Sequence, residues 1–208
     1  MRNLITALII ALPAPAFANF SDTDLQLSSA RILKDLHAAT QQSSKQKQAE
    51  AMCRLADDVL QIVEPGKDGL GTGIAATLLG TFGKGRYWKT DRDGILAFAD
   101  LTSSVVVSKF YDLLAEAGDW DYTVGSAKSA GSDKVVVPGT AGKLDLELFF
   151  YRSTGKIFDV KANGLSLVGQ YRGIFQRDLQ DMKDDTKAVS RLVESLTSSS
   201  RRLPINCN

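Results

Sequence analysis

The feature that most constrains the fold is a run of period-two alternation between apolar and polar residues. Turns rich in Gly, Ser and Thr divide it into four segments, residues 122–127, 133–137, 143–151 and 156–162. Because successive side chains of a strand point to opposite faces, each segment presents one apolar and one polar face. Short turns join antiparallel neighbours. The sequence therefore predicts a four-stranded antiparallel sheet with one face buried and the other in water.

Helical periodicity flanks the predicted sheet on both sides. Apolar residues recur every three or four positions in residues 22–41, 49–63, 90–118 and 168–196. The order helices, strands, helices is typical of an α+β fold. We expect a curved sheet with helices gathered on its apolar face.

Two of these helical segments begin with the sequence pattern of a capping box. Ser21 and Asp24 fit the first, and Thr90 and Asp93 fit the second, with an N-cap hydroxyl and an acid three residues later.

The sequence predicts four parts of the chain. They are a leader at 1–18, a mainly helical subdomain at 19–118, the sheet with the C-terminal helices at 119–197, and a polar tail at 198–208.

The first 18 residues, MRNLITALIIALPAPAFA, are typical of a cleavable signal peptide. Arg2 supplies the positive end, the apolar stretch is too short for the ~20 residues that span a bilayer, and Ala16-Phe17-Ala18 has the small-x-small cleavage pattern. We expect cleavage after Ala18 and no later membrane-spanning segment. Export from a Gram-negative cell by this route places the protein in the periplasm.

The chain contains two cysteines, Cys53 and Cys207. The oxidising periplasm favours a disulfide between them, which would tie the C-terminal tail to the helical subdomain. The alternative is a buried thiol at Cys53 and a free thiol in the tail.

Composition and motifs exclude several classes of function. The chain has 25 Lys and Arg against 24 Asp and Glu, so it lacks the basic excess of a nucleic-acid binder. One His and two Cys leave little for a metal cluster. The glycine-rich segment 69–73 follows a predicted helix rather than a strand, and Gly83-Lys84 lacks the P-loop pattern. The sequence predicts no metal, no cofactor, no nucleic acid and no catalytic constellation.

The inward strand positions are almost all aliphatic or aromatic, and we expect the long helix to join them. They are Val135, Val137, Leu144, Leu146, Leu148, Phe150, Phe158 and Val160, with Val105, Val106 and Phe110 from the helix. Such a set is either a closed core or the wall of an apolar pocket.

The spacing of several aromatic and glycine residues resembles that in a known protein family. The matching stretches are Gly85-Arg86-Tyr87-Trp88-Lys89, Lys134 to Pro138, and the run from Phe158-Asp159-Val160 through Gly164-Leu165-Ser166-Leu167-Val168 to Gln170-Tyr171-Arg172 and Phe175. Over residues 50–197 the chain resembles the MlaC, or toluene-tolerance, family of periplasmic phospholipid-binding proteins.

The resemblance implies a sheet of the NTF2 or cystatin type, with phospholipid acyl chains held between sheet and helices. Leu165, Val168, Tyr171 and Phe175 then join the inward positions as lipid-binding residues. Arg172 either meets the phosphate or forms a surface salt bridge, and selectivity for the headgroup is expected to be weak.

The implied function is that of a lipid carrier, not an enzyme. The carrier serves an inner-membrane ABC lipid transporter complex and an outer-membrane lipoprotein complex, which maintain outer-membrane lipid asymmetry. Three alternatives stay open at this point. They are a carrier of another lipid such as a hopanoid, an isomerase-like enzyme with an acid on the inward face, and an interaction protein with a closed core.

Overall fold

The computed structural model describes residues 19–42, 44–59, 78–80 and 85–198. Its strands form one antiparallel sheet, with strand order β1-β3-β4-β5-β6 and β2 paired to β3. The strands are β1 Tyr122–Val124, β2 Lys128–Ser129, β3 Lys134–Ala141, β4 Leu144–Tyr151, β5 Ile157–Ala162 and β6 Leu165–Ser166.

The α+β class is confirmed, but the sheet has six strands and not the four predicted. The first predicted strand, 122–127, ends early at Val124 as β1, and the two-residue β2 begins only after the predicted end, at Lys128; both pair with β3. The sixth strand follows a tight turn at Asn163 and Gly164, whose φ angles are positive at 49° and 79°. Two-residue strands carry too little alternation to be recognised from the sequence.

The third strand runs four residues beyond its predicted end, through Pro138 and Gly139 to Ala141. Strand β1 lies so close here that a Cβ on Gly139 would meet the Thr123 carbonyl oxygen at 2.6 Å. The Pro138 carbonyl accepts a hydrogen bond from the Gly125 amide at 2.8 Å. Pro138 therefore fits within this strand because it lies beside the break between β1 and β2. Gly139 fits because it permits a close approach of two backbones.

The described residues contain six helices. They are α1 Asp22–Thr40, α2 Lys45–Val59, α3 Gly85–Thr90, α4 Arg92–Glu116, α5 Leu167–Asp181 and α6 Ala188–Ser198. Helix α1 packs on β1 and β3, and α5 packs on β5. The long helix α4 packs against the five other helices, and its Val106 and Phe110 belong to the same buried cluster as the inward strand positions, as predicted.

The capping box predicted at Ser21 is confirmed. Its side chain accepts from the Asp24 amide, and the Asp24 carboxylate accepts from the Ser21 amide. The capping box predicted at Thr90 is wrong, because the N-cap of α4 is Asp91 and its side chain makes no bond to its own helix.

Asp91 instead caps a different helix. Its side chain is fully buried, and it accepts hydrogen bonds from the Ser190 hydroxyl at 2.5 Å and the Ser190 amide at 2.9 Å, in the first turn of α6. Lys187 places its Nζ 3.8 Å from the same carboxylate. A buried carboxylate at a helix N-terminus satisfies amides that the helix leaves free and complements its dipole. The start of α4 and the start of α6 are thus held together by one side chain.

Helix α4 is long and apolar enough to cross a membrane. This finding contradicts the expectation that no segment after the signal peptide is long and apolar enough to do so. However, 56% of its apolar stretch is buried within the protein. Buried residues of α4, the other helices and the sheet form one continuous cluster. We therefore interpret α4 as a core helix.

Several predictions concern residues on which the structure gives little. The leader 1–18, Cys207 and most of the polar tail lie outside the described residues, and the proposed domain boundaries stay predictions. Cys53 is disulfide-bonded, and its pairing with Cys207 stays a prediction.

The junction at Asp91 predicts opposite effects for two helical Gly→Ala substitutions. A Cβ on Gly94 would clash with Ser190 Oγ and lie 2.6 Å from the Ser190 backbone nitrogen, whereas a Cβ on Gly173 in α5 has nothing within 4 Å. Gly94→Ala should lower the free energy of unfolding by about 1–3 kcal/mol, because it overpacks this contact. Gly173→Ala should raise it by roughly 0.5–1 kcal/mol, because alanine loses less backbone entropy on folding. Urea denaturation measures both, and a shift of the same sign would contradict the geometry.

Candidate functional site

The inner face of the sheet is closed. Val135, Val137, Leu148 and Phe150 are fully buried, and the register pairs Val135 with Phe150 and Val137 with Leu148. Of the other predicted lipid-binding residues, the structure buries Leu146, Val160, Val106, Phe110, Val168 and Phe175, and leaves Val105, Leu144 and Tyr171 half-buried. All of these residues except Val105 belong to the packed core or lie against it, and Tyr171 alone among them also lines the cleft described below.

Phe158 lies on the opposite face from the one predicted. A bulge places Phe149 opposite Asp159 and Phe150 opposite Ile157, so Phe158 has no partner in the register. The extra residue shifts the alternation, and Ile157 takes the inward position. The Phe158 ring instead contacts Tyr151, with centroids 4.4 Å apart, on the outer face of the sheet.

Two further predicted site residues lie at the surface. Leu165, in the edge strand β6, is 64% exposed, and its role as a lipid-binding residue stays a prediction. Arg172 is exposed on α5 and does not line the cleft described next.

A cleft of about 560 Å³ lies between the C-terminal half of α4 and the N-terminal half of α5. Four apolar residues and four polar residues line it: Leu113, Ala115, Leu167 and Tyr171, with Lys109, Asp112, Glu116 and Gln170. Its volume falls within the range of about 300–1,000 Å³ typical of small-molecule sites. An amphipathic lining suits a ligand that is itself amphipathic.

The polar side of the cleft comes from one face of α4. Lys109, Asp112 and Glu116 follow one another at spacings of three and four residues, which places them above one another on a helix. Lys109 Nζ lies 3.4 Å from Asp112 Oδ2, and both side chains are 49% exposed. Neighbouring Tyr111 has a raised pKa, chiefly because it is partly buried and secondarily because Asp112 is close.

The apolar side of the cleft continues into the core through a row of aromatic rings. Tyr171 stacks on Phe175 with centroids 6.0 Å apart, and Phe175 meets the fully buried Phe98 edge-on at 5.2 Å. Leu167 is 5% exposed and belongs both to the cleft and to the buried cluster. Apolar surface therefore leads from the cleft into the interior.

Asp159, in β5, lies beside the first turn of α5. Burial raises the pKa of its carboxyl group above the ordinary value, while hydrogen bonds from the Ser166 hydroxyl at 2.7 Å and from two backbone amides act in the opposite direction. Those amides belong to Val160 and to Val168 in the first turn of α5. The carboxylate therefore serves to cap α5 and to hold it against β5.

Sequence reasoning found Tyr171 but did not identify the polar half of the cleft. Lys109, Asp112, Glu116 and Gln170 have no distinctive motif, and residues so far apart in sequence meet only when α4 and α5 pack together. Leu113 and Leu167 were recognisable as apolar positions of the pattern, but not as cleft residues. No group of His, Cys, Asp and Glu that could hold a metal occurs among the residues described.

The fold resembles that of a solved phospholipid-binding protein from Ralstonia solanacearum, whose structure was determined in complex with a phospholipid at 1.53 Å resolution. The TM-score is 0.55 at 17% sequence identity, and the match covers 82% of this chain and 95% of that chain. No protein-family model and no curated protein matches the sequence. The comparison shows the shared fold.

The raised pKa of Asp159 predicts the sign of a pH effect on stability. The folded state binds this proton more tightly than the unfolded state, so the contribution of Asp159 to the free energy of unfolding is greatest below its ordinary pKa and is lost as pH rises through the raised pKa. Asp159→Asn removes this titration. The difference in unfolding free energy, parent minus variant, should therefore increase as the pH falls through the raised pKa. Urea denaturation at a series of pH values measures the difference, and a decrease on acidification would contradict the assignment.

Proposed function

We propose that this protein binds a phospholipid and carries it through the periplasm, as members of the MlaC family do. The observation that carries the proposal is the fold shared with a protein solved in complex with a phospholipid, over 95% of that protein's chain. The resemblance of residues 50–197 to the MlaC family, including the strand, tight turn and helix that contain Tyr171, supports the same conclusion.

The cleft between α4 and α5 supplies a binding mode that agrees with this function. Leu113, Leu167 and Tyr171 offer an apolar wall for an acyl chain, and Lys109 offers a cation at the rim for the phosphate. Each methylene withdrawn from water contributes about 0.8 kcal/mol, so even part of one chain held along this wall gives appreciable affinity. This mode replaces Arg172 by Lys109 as the headgroup cation.

Transport between membranes is the role we propose for the bound state. The predicted signal peptide supports export to the periplasm, where an inner-membrane ABC lipid transporter complex and an outer-membrane lipoprotein complex would be the two partners. A formal net charge of +1 keeps electrostatic attraction to membrane surfaces small, which suits a carrier that must leave each of them.

An isomerase-like activity is the second candidate, and one observation bears on it. Asp159 has a raised pKa, as a catalytic acid in a curved-sheet enzyme would. However, its carboxylate is occupied by Ser166 and by two backbone amides at the start of α5. This engagement favours a capping role, and we propose that the protein is not an enzyme.

The proposal predicts that lipid copurifies with the protein and depends on Tyr171. Organic extraction of the purified protein followed by mass spectrometry should recover phospholipid, whereas recovery of a hopanoid alone would support the alternative cargo. Tyr171→Ala should reduce the lipid recovered per folded molecule severalfold, because it removes apolar surface from the cleft wall.

Tyr151→Ala is the matched control, since Tyr151 is also half-buried against a phenylalanine but lies on the outer face of the sheet. Lipid recovery from this variant should equal that of the parent, with thermal melting confirming that both variants fold. Absence of lipid from the parent, or equal loss from both variants, would contradict the proposal.

A further inference from the structure

We infer that Asn163 is a site of spontaneous covalent modification, at which the side-chain amide is lost and the turn between β5 and β6 acquires an isoaspartyl linkage. The reaction needs only water and the neighbouring Gly164. It is therefore independent of the proposed lipid carriage, and it adds a chemical change at the start of α5.

Asn163 and Gly164 form the two-residue turn that pairs Ala162 with Leu165 across β5 and β6. Asn163 is the one non-glycine residue with a positive φ in the described part of the chain, at 49°, and Gly164 follows at 79°. Two consecutive positive φ angles are typical of a type I′ turn, for which Asn-Gly is a preferred sequence. Both residues are exposed, and a Cβ on Gly164 would meet nothing within 4 Å. Solvent therefore reaches the peptide bond between them.

An asparagine that precedes glycine can lose its amide through attack by the next backbone nitrogen. Hydroxide removes the Gly164 N–H proton, and the nitrogen forms a bond to Asn163 Cγ. The Cγ–Nδ2 bond then breaks and releases ammonia, which takes a proton from water and leaves a five-membered succinimide. Water opens this ring at one of its two carbonyl carbons, giving aspartate or, after attack at the main-chain carbonyl, isoaspartate. One water is consumed, one ammonia is released, and nothing is oxidised or reduced.

Two hydrogen bonds hold Asn163 during this reaction. Its backbone amide donates to the Asp145 carbonyl at 2.8 Å, and its Oδ1 accepts from the Asp145 amide at 3.0 Å. The second bond stabilises the negative charge that develops on Oδ1 when the nitrogen attacks, as an oxyanion donor does in an enzyme. Asp145 belongs to β4, so both bonds persist when β6 separates from β5.

Opening of the edge strand β6 controls the rate. In the left-handed region ψ is also positive, which turns the following nitrogen away from Cβ, so Gly164 must rotate before it reaches Cγ. Strand β6 has two residues, paired as Ser166 with Lys161 and Leu165 with Ala162. Leu165 is 64% exposed, so little buried apolar surface opposes separation of the strand. Segments of this kind open locally at a low cost in free energy.

An isoaspartate at this position changes the turn irreversibly. The linkage adds one methylene to the backbone, whereas the length of a two-residue turn fixes the register, so the pairing of Ala162 with Leu165 cannot re-form. The following residue, Ser166, accepts from the Gly169 amide at 2.7 Å as the N-cap of α5 and donates to Asp159 at 2.7 Å. The modified chain should therefore have a looser first turn of α5.

Peptide mapping of the aged protein tests the site. Folded full-length protein is kept in buffers of increasing, mildly alkaline pH and digested with trypsin, which releases residues 162–172 as one peptide. Relative to an unaged sample, a fraction of this peptide should gain about 1 Da, and the fraction should grow with time and with hydroxide concentration. Enzymatic methylation of isoaspartyl carboxyl groups should label the same peptide. Gln170 is the internal control, because it is an exposed amide in the same peptide, and fragment spectra should place the gain at Asn163 alone.

Gly164→Asp is the matched variant, because aspartate tolerates a positive φ while its side chain crowds the attacking nitrogen. Amide loss at Asn163 should fall severalfold in this variant, with thermal melting confirming that it folds. A synthetic peptide of residues 162–172 should react faster than the folded protein, because it has no turn to open. An unmodified Asn163 in the folded protein after the peptide has reacted fully, or an equal rate in Gly164→Asp, would overturn the inference.

Discussion

Burial of the sheet's inner face against α1 and α5 is the constraint on which the rest of the structure depends. Val135, Val137, Leu148 and Phe150 can leave water together only if helices lie across the sheet, because a single sheet has no second layer of its own. Helix α5 is held in that position by its buried residues and by the Asp159 carboxylate at its first turn. Its other side then faces α4 and forms one wall of the cleft. The cleft between α4 and α5 therefore follows from the packing of α5 on the sheet.

The account of lipid binding follows from the two halves of that cleft. An amphipathic ligand needs apolar surface for its chains and polar groups for its headgroup at one place, and the α4–α5 cleft supplies both from two helices. The row Tyr171, Phe175 and Phe98 extends the apolar half towards the core.

Much of the fold could be predicted from the sequence, because period-two and helical periodicities are local. The alternation in β4 identified its buried face correctly, and Ser21 marked the start of α1. The same reasoning failed where one residue changes the outcome: the bulge before Asp159 moves Phe158 to the other face. It also failed at Asp91, whose partner Ser190 is 99 residues away. The cleft was missed for the same reason, since only tertiary packing brings Lys109 and Gln170 together.

The location of the acyl chains in the lipid-bound protein tests the central claim most directly. Intermolecular NOEs between acyl-chain methylenes and isotope-labelled methyl groups of the protein report which side chains touch the lipid. If the chains lie in the α4–α5 cleft, the methyl groups of Leu113, Ala115 and Leu167 should show NOEs to the lipid, and those of Val135 and Val137 on the closed sheet should show none. NOEs to the sheet methyls without any to the cleft would place the lipid between sheet and helices and contradict the account.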